Sequence, residues 1–169
     1  MAELKGSKTE KNLLDAFAGE SQANRKYLAF AKQADKEGYP QVAKLFRSAA
    51  EAETIHAHNH LRTLGAIKST AENLKEAISG ETYEFMKMYP AMIEESRNAG
   101  HKAAERNFTY ANEVEKVHAA LYEKALKNLD NLEDTEYYVC SICGYTAEGV
   151  LPEKCPVCAA KSTAFFKVE

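Results

Sequence analysis

The chain has 169 residues, enough for one good-sized domain or one domain with a small module. A hydrophobic share of 45%, a charged share of 28% and a net charge of −3 are ordinary for a globular protein, and no basic block suggests a nucleic-acid partner. The polar stretch Met1–Lys8 lacks the apolar core of a signal peptide, and no apolar run approaches the ~18 residues that span a bilayer, so a cytoplasmic protein with no membrane contact is expected.

The first helix is announced by Ser7-x-x-Glu10, a capping-box spacing, and its apolar stripe runs through Leu13, Phe17, Tyr27, Leu28 and Ala31. Glu20 lies on that stripe, and Gly38 closes the helix. Pro40 suits the first turn of the second helix, where its missing N–H costs nothing. That stripe reads Val42, Phe46, Ala49, Glu53, His56, His60, Leu64, and Gly65 ends it. Ser69-x-x-Glu72 is a further cap, and Gly80 is expected to break a short helix from the next long one. The third stripe holds Glu81, Glu84 or Phe85, Met88 and Met92, with a kink expected near Tyr89 because Pro90 interrupts it. Gly100 separates the fourth helix, whose stripe is Phe108, Ala111, Glu115, His118, Tyr122, Leu126 and Leu129.

The two halves repeat. Phe46, Ala49, Glu51, Glu53, His56, Ala57 and Leu64 recur 62 positions later as Phe108, Ala111, Glu113, Glu115, His118, Ala119 and Leu126, and Gly38 recurs as Gly100. Gly19-Glu20 and Gly80-Glu81 match at an offset of 61, and Glu84 answers to Ala23, so the second half brings an extra carboxylate. Such a pattern describes a duplicated helical hairpin. The expected fold is mainly α: an antiparallel four-helix bundle with a long crossover over residues 1–134, followed by a small β-rich metal-binding domain over 135–169.

From Tyr137 onward the texture changes to short β-favouring pieces, Tyr-Tyr-Val, Gly-Tyr-Thr and Phe-Phe-Lys-Val, after a linker at Asn128–Thr135. Roughly 33 residues cannot bury enough apolar surface to fold unaided, so a metal staple is expected. All four cysteines lie here, as Cys140-x-x-Cys143 and Cys155-x-x-Cys158. In a reducing cytoplasm that spacing favours a tetrahedral thiolate metal site over disulfides, with zinc and iron both open on spacing alone.

In the helical part, Glu and His three apart project from one helix face. Glu53-x-x-His56 and Glu115-x-x-His118, with Glu20 and Glu81, set four carboxylates and two imidazoles on the apolar stripes of four helices, and Glu84 adds a further carboxylate in the second half. Uncompensated, they would cost more than the fold can bear, so cations are the economical reading. Mixed carboxylate and imidazole donors suit iron or manganese. Tyr27, two turns after Glu20 on the same face, can donate a hydrogen bond into the site. His58, His101, Met86, Met88 and Met92 read as surface or packing residues, and His60 as a core or supporting one.

Cys143-Gly144-Tyr145 and Cys155-Pro156-Val157-Cys158 resemble the two knuckles of rubredoxin, and the whole chain resembles rubrerythrin. That resemblance implies a ferritin-like bundle with a non-haem diiron site, and a rubredoxin-like Fe(Cys)4 centre held by Cys140, Cys143, Cys155 and Cys158. It implies Glu53 and Glu115 as bridges between the irons, Glu20 terminal on one iron, and Glu81 and His118 terminal on the other. It makes Glu84 and His56 alternative ligands on the Glu20 iron, glutamate when oxidised and histidine when reduced, and it lends Tyr89 a role like that of Tyr27. It implies a peroxidase of the NADH-peroxidase type that reduces hydrogen peroxide to water in oxidative-stress defence. Its electrons would come from a rubredoxin or an NAD(P)H-dependent reductase, and it would work as a head-to-tail homodimer that sets one subunit's tail near the other's diiron site. The alternatives are a ferritin-like protein that oxidises and stores iron, and a non-enzymatic electron carrier. Where the rubredoxin knuckle has glycine after its last cysteine this chain has Ala159, which adds strain if that backbone needs a positive φ.

Overall fold

A computed structural model describes residues 4–169; the first three residues of the polar N-terminal stretch lie outside that range. The chain divides into two compact units, Met1–Lys68 and Ser69–Glu169.

The first unit is a helical hairpin of α1 (Lys8–Lys36) and α2 (Pro40–Thr63). Ser7 caps α1 by accepting from the Glu10 N–H at 3.1 Å, while the Glu10 carboxylate takes the Gly6 N–H at 2.5 Å. Only half of the anticipated capping box therefore forms, because Glu10 reaches one residue further back. The turn closes with the Tyr39 N–H donating to Ala34 O at 2.8 Å across Gly38 at φ +84°. Small residues set the helix spacing: Ala31 and Ala34 of α1 are buried with Ala43 of α2, and Phe46 packs on them. Further along, the buried Asn24 amide donates to Ala50 O at 2.7 Å and Thr54 Oγ1 at 2.8 Å, which fixes the register of the two helices.

The second unit opens with α3 (Thr70–Tyr83), whose Ser69–Glu72 capping box forms in full. The expected break at Gly80 does not occur. Gly80 holds ordinary helical backbone and the helix runs through it to Tyr83. There the chain widens into a π turn, Glu84–Met88, and continues as α4 (Tyr89–Asn98). The Tyr89 N–H donates to Glu84 O, five residues back, and Pro90 sits in the first turn of α4, where it needs no donor. The kink expected from Pro90 thus takes the form of a wider turn just before it. The loop before α5 (Lys102–Lys127) repeats that of the first hairpin, with His101 N–H donating to Ser96 O at 2.9 Å across Gly100 at φ +76°.

After a 3-10 turn at Leu129–Asn131 come three antiparallel strands, β1 (Tyr137–Cys140), β2 (Thr146–Glu148) and β3 (Phe165–Lys167), in the order β2-β1-β3. Val139 faces Thr146 across one edge, and Cys140 faces Phe165 across the other. This sheet does not hang free of the helices. Lys124 of α5 pairs with Glu148 of β2 at 2.5 Å, and Tyr137 donates to the same carboxylate at 3.2 Å. No helix among the described residues is long and apolar enough to cross a membrane.

Candidate metal centres

The duplicated motif produces duplicated geometry. On the first hairpin, α1 supplies Glu20 and α2 supplies Glu53 and His56. His56 Nδ1 lies 2.9 Å from Glu53 Oε2 and 4.0 Å from Glu20 Oε1. In the second unit α3 supplies Glu81, and α5 supplies Glu115 and His118. His118 Nδ1 lies 2.8 Å from Glu115 Oε2 and 3.9 Å from Glu81 Oε1. In each cluster the three donor atoms lie within 4.8 Å of one another. The aromatic neighbours repeat as well: Tyr27 packs on Phe46 with ring centroids 6.1 Å apart, and Tyr89 on Phe108 at 6.3 Å.

The electrostatics show carboxylates crowded together. Glu20 is raised above the usual range, first by its hydrogen bond to Glu53, which holds Glu53 low in turn. Glu81 is raised by burial and then by the charge of Glu115. Glu84, at the start of the π turn, is raised by burial and then by Glu81, and it also feels His118. It therefore lies beside the second cluster without joining the trio. Burial, with Glu115, Glu84 and Glu81, raises Tyr89, which keeps its hydroxyl a neutral donor facing these acids. Carboxylates that repel one another beside an imidazole are the donor set of a hard-to-borderline cation, which removes the repulsion by binding.

The two imidazoles differ. The His56 side chain is 54% exposed and, among the described residues, makes no hydrogen bond through Nε2. His118 is 28% exposed and is held at both nitrogens, with Thr146 Oγ1 of β2 lying 3.1 Å from Nε2. Thr146 has no sequence signal at all, since it is 28 residues away and reads as a strand-forming residue. His60 is close enough to Glu20 to lower its pKa, which fits a supporting role. Exposed His58 lines a cavity of about 220 Å³ with Glu53, and exposed His101 precedes α5.

The cysteines meet as two matching knuckles. Gly144 N–H donates to Cys140 O at 2.8 Å and Ala159 N–H to Cys155 O at 2.9 Å; Cys140 N–H donates to Tyr145 O and Cys155 N–H to Ala160 O. Cys140 Sγ is 3.6 Å from Cys158 Sγ, and Cys143 Sγ is 3.5 Å from Cys155 Sγ. These distances are far too long for disulfides, whereas four metal–sulfur bonds of ~2.3 Å form a tetrahedron with edges of about 3.8 Å. Burial pushes the Cys143 and Cys158 thiols up. Burial opposes the Cys140 thiolate too, but the backbone N–H groups of Ile142 and Cys143 outweigh it and bring Cys140 below its usual value. Ala159 has φ +60°, the one non-glycine residue with positive φ among those described.

Comparison with known families decides what this arrangement is. The rubrerythrin family model matches residues 11–126, and the model of the rubredoxin-like domain of rubrerythrin matches residues 138–166. The chain belongs to the rubrerythrin family. It is 35% identical to rubrerythrin-2 of Clostridium acetobutylicum, over 96% of this chain and 97% of that protein. It is 39% identical to rubrerythrin of Porphyromonas gingivalis, over 96% of this chain and 90% of the other. A solved structure of nigerythrin in a mixed-valent state matches with a TM-score of 0.59 and 36% identity, covering 99% of this chain and 91% of that one. The fold is thus the rubrerythrin one, a ferritin-like helical part with a rubredoxin-like domain. Each acidic and histidine cluster offers the kind of donors that the family's diiron site uses, and the four cysteines those of its rubredoxin-like iron. Rubrerythrins are peroxidase-like oxidoreductases.

Proposed function

We propose that the chain is a non-haem diiron peroxidase that reduces hydrogen peroxide to water, with electrons delivered through its own type of iron–tetrathiolate centre. The observation that carries this reading is the pairing of two Glu-Glu-His clusters with a four-cysteine knuckle site in one chain. When bound, two irons supply one electron each and so meet the two-electron demand of O–O cleavage. The residues do the rest. On the family resemblance, Glu20 and Glu53 would hold metal from the first hairpin, and Glu81, Glu115 and His118 would hold it from the second unit. His118 is fixed at both ring nitrogens and suits a permanent ligand. His56 is exposed and, among the described residues, tethered through Nδ1 alone, so it would suit a ligand that is exchanged with redox state, Glu84 being the alternative on the family resemblance. Hard carboxylate favours the ferric state and softer imidazole the ferrous, so such an exchange would tie coordination to redox state. Tyr27 and Tyr89 are assigned as hydrogen-bond donors into the site; burial, and then the charges of Glu115, Glu84 and Glu81, hold the proton on Tyr89.

Electrons come from a donor of the rubredoxin or NAD(P)H-dependent reductase class, in the cytoplasm, where the four free cysteines stay reduced. The decisive experiment mixes chemically reduced, iron-loaded protein with hydrogen peroxide and, separately, with dioxygen. Reoxidation by peroxide is expected to be far faster. Comparable rates, or a faster reaction with dioxygen, would overturn the assignment. Iron uptake well beyond about three per chain, two in the helical part and one in the tail, would favour storage instead.

A further inference from the structure

We propose that the two donor clusters of one metal site come from two copies of this chain: Glu20, Glu53 and His56 of one copy's α1–α2 hairpin close on Glu81, Glu115 and His118 of a second copy. The proposal rests on the clusters serving a single dimetal site, as in the reading above, and not on the reaction carried out there.

The connection between α2 and α3 carries the argument. A ferritin-like bundle has one long crossover, which returns the chain along the bundle so that the helices before and after it run the same way. Here α2 ends at Thr63 and α3 begins at Thr70, which leaves residues 64–69 for that return. His56 lies two turns before the end of α2, and Glu81 lies three turns after the start of α3. At a rise of about 1.5 Å per residue, bringing both to one height within a single copy demands a return of about 27 Å, before any sideways step. Fully extended, the chain from Thr63 to Thr70 reaches at most about 25 Å. It is far from extended. The Leu64, Gly65 and Ala66 N–H groups donate to His60, Arg62 and Leu61 O at 2.9, 3.0 and 3.0 Å, which keeps the backbone wound onto α2 through Gly65 at φ +64°. Ser69 is held at the other end by its capping box with Glu72. From Ala66 to Thr70 the chain covers at most about 14 Å, half of the return. The crossover is too short for one copy, whereas a reciprocal exchange of hairpins removes the return and closes as a two-fold dimer with two complete sites.

The hairpin has the face that such a cover needs. Val42 and Leu45 lie three turns before Glu53 and His56 on the same side of α2, and they are 45% and 68% exposed. His56 itself is 54% exposed. Among the described residues, the buried apolar side chains of the hairpin are all alanines: Ala31, Ala34, Ala43, Ala50 and Ala57. They let two helices approach closely but bury little apolar area, so the open side of the ligand face finds its burial against further helices.

Two tagged versions of the full chain, co-expressed and purified through both tags, test the exchange. One carries Glu20→Gln with Glu53→Gln, the other Glu81→Gln with Glu115→Gln. Glutamine keeps the shape and removes the carboxylate crowding, so folding is retained. With exchange, the mixed dimer has one site with every donor intact and one lacking four carboxylates; without it, both sites are damaged. Native mass spectrometry of the zinc-loaded protein is expected to find about two metals in the helical part of the mixed dimer, half the wild-type count, and close to none in either variant alone. A mixed dimer holding no more helical metal than its parents would overturn the proposal, as would a wild type that carries its helical metals as a single copy. Inserting about sixteen Gly/Ser residues between Ile67 and Lys68 gives the crossover a coil span of about 26 Å, enough to return within one copy. The same pair in that background is expected to lose most of the rescue, and rescue undiminished by the insertion contradicts the crossover argument. Failure of the dimetal reading looks different: the wild type itself would hold no metal beyond that of its cysteines.

Discussion

Replacing Ala159 with glycine relieves a strain that the first knuckle does not carry. The two knuckles share the same hydrogen bonds, yet the residue after the second cysteine is Gly144 at φ +84° in one and Ala159 at φ +60° in the other. Holding a Cβ in the left-handed region costs about 1–2 kcal/mol. Glycine gives back about 0.4–1 kcal/mol through the greater freedom of the unfolded chain. The net gain for Ala159→Gly is therefore about 0.8 kcal/mol. Gly144→Ala should lose a similar amount, because a Cβ at Gly144 meets nothing nearer than Val114 Cγ1 at 3.9 Å and the cost is backbone strain alone. Folding of so small a module is coupled to its metal, so 0.8 kcal/mol is roughly a fourfold change in apparent metal affinity. Competition for the tail metal with a graded chelator, followed by the iron–thiolate absorption, measures it. The double variant should return to wild type. If Ala159→Gly leaves affinity unchanged or weakens it, the strain account is wrong.

His56→Ala should keep most of its iron but turn over more slowly, whereas His118→Ala should lose iron; iron stoichiometry and stopped-flow rates decide, and an unchanged rate in His56→Ala refutes the ligand exchange. Removing the metals should expose the carboxylate repulsion. Glu20, raised through its bond to Glu53, and Glu81 and Glu84, raised first by burial, favour the protonated form in the metal-free fold. Their contribution to metal-free stability is fully present at pH values below their ordinary value of 4.5 and is lost as pH rises through the raised folded-state values. Cations bind the deprotonated form, so the Tm gap between iron-loaded and chelated protein should widen from about pH 5 to about pH 7.5, and a constant or narrowing gap contradicts it.

The helices, the two turns at Gly38 and Gly100, the donor clusters and the cysteine knuckles were legible because each rests on local spacing: three and four along a helix, two within a knuckle. Ala159 was legible for the same reason, since the matching glycine of the first knuckle stands beside it in the sequence. What escaped was non-local or graded. Gly80 reads as a breaker only if its intrinsic cost decides; here the helix goes on through it, from a well-capped start at Ser69 into the π turn. The Thr146–His118 contact joins a strand to a helix across 28 residues, and no local pattern encodes it.

The π turn lies between these cases, because its signal is present in the repeat itself. Glu20 and Glu81 match at an offset of 61, but Tyr27 and Tyr89 match at 62, so one residue has been inserted between Glu81 and Tyr89. In a regular helix one extra residue rotates everything after it by ~100° and would carry Tyr89 off its stripe. Widening one turn to a five-residue bond takes up the insertion where it occurs, at Glu84–Met88. Tyr89 consequently keeps the Phe108 contact that Tyr27 makes with Phe46. Glu84, the carboxylate without a partner in the first half, begins that turn. Deleting the exposed Met86 should return the segment to α-helix, with the Tyr89 N–H donating four residues back and the Tyr89–Phe108 packing retained. A crystal structure of the deletion variant tests it. If Tyr89 instead swings away from Phe108, the turn is not absorbing an insertion, and the one-residue difference between the halves needs another physical cause.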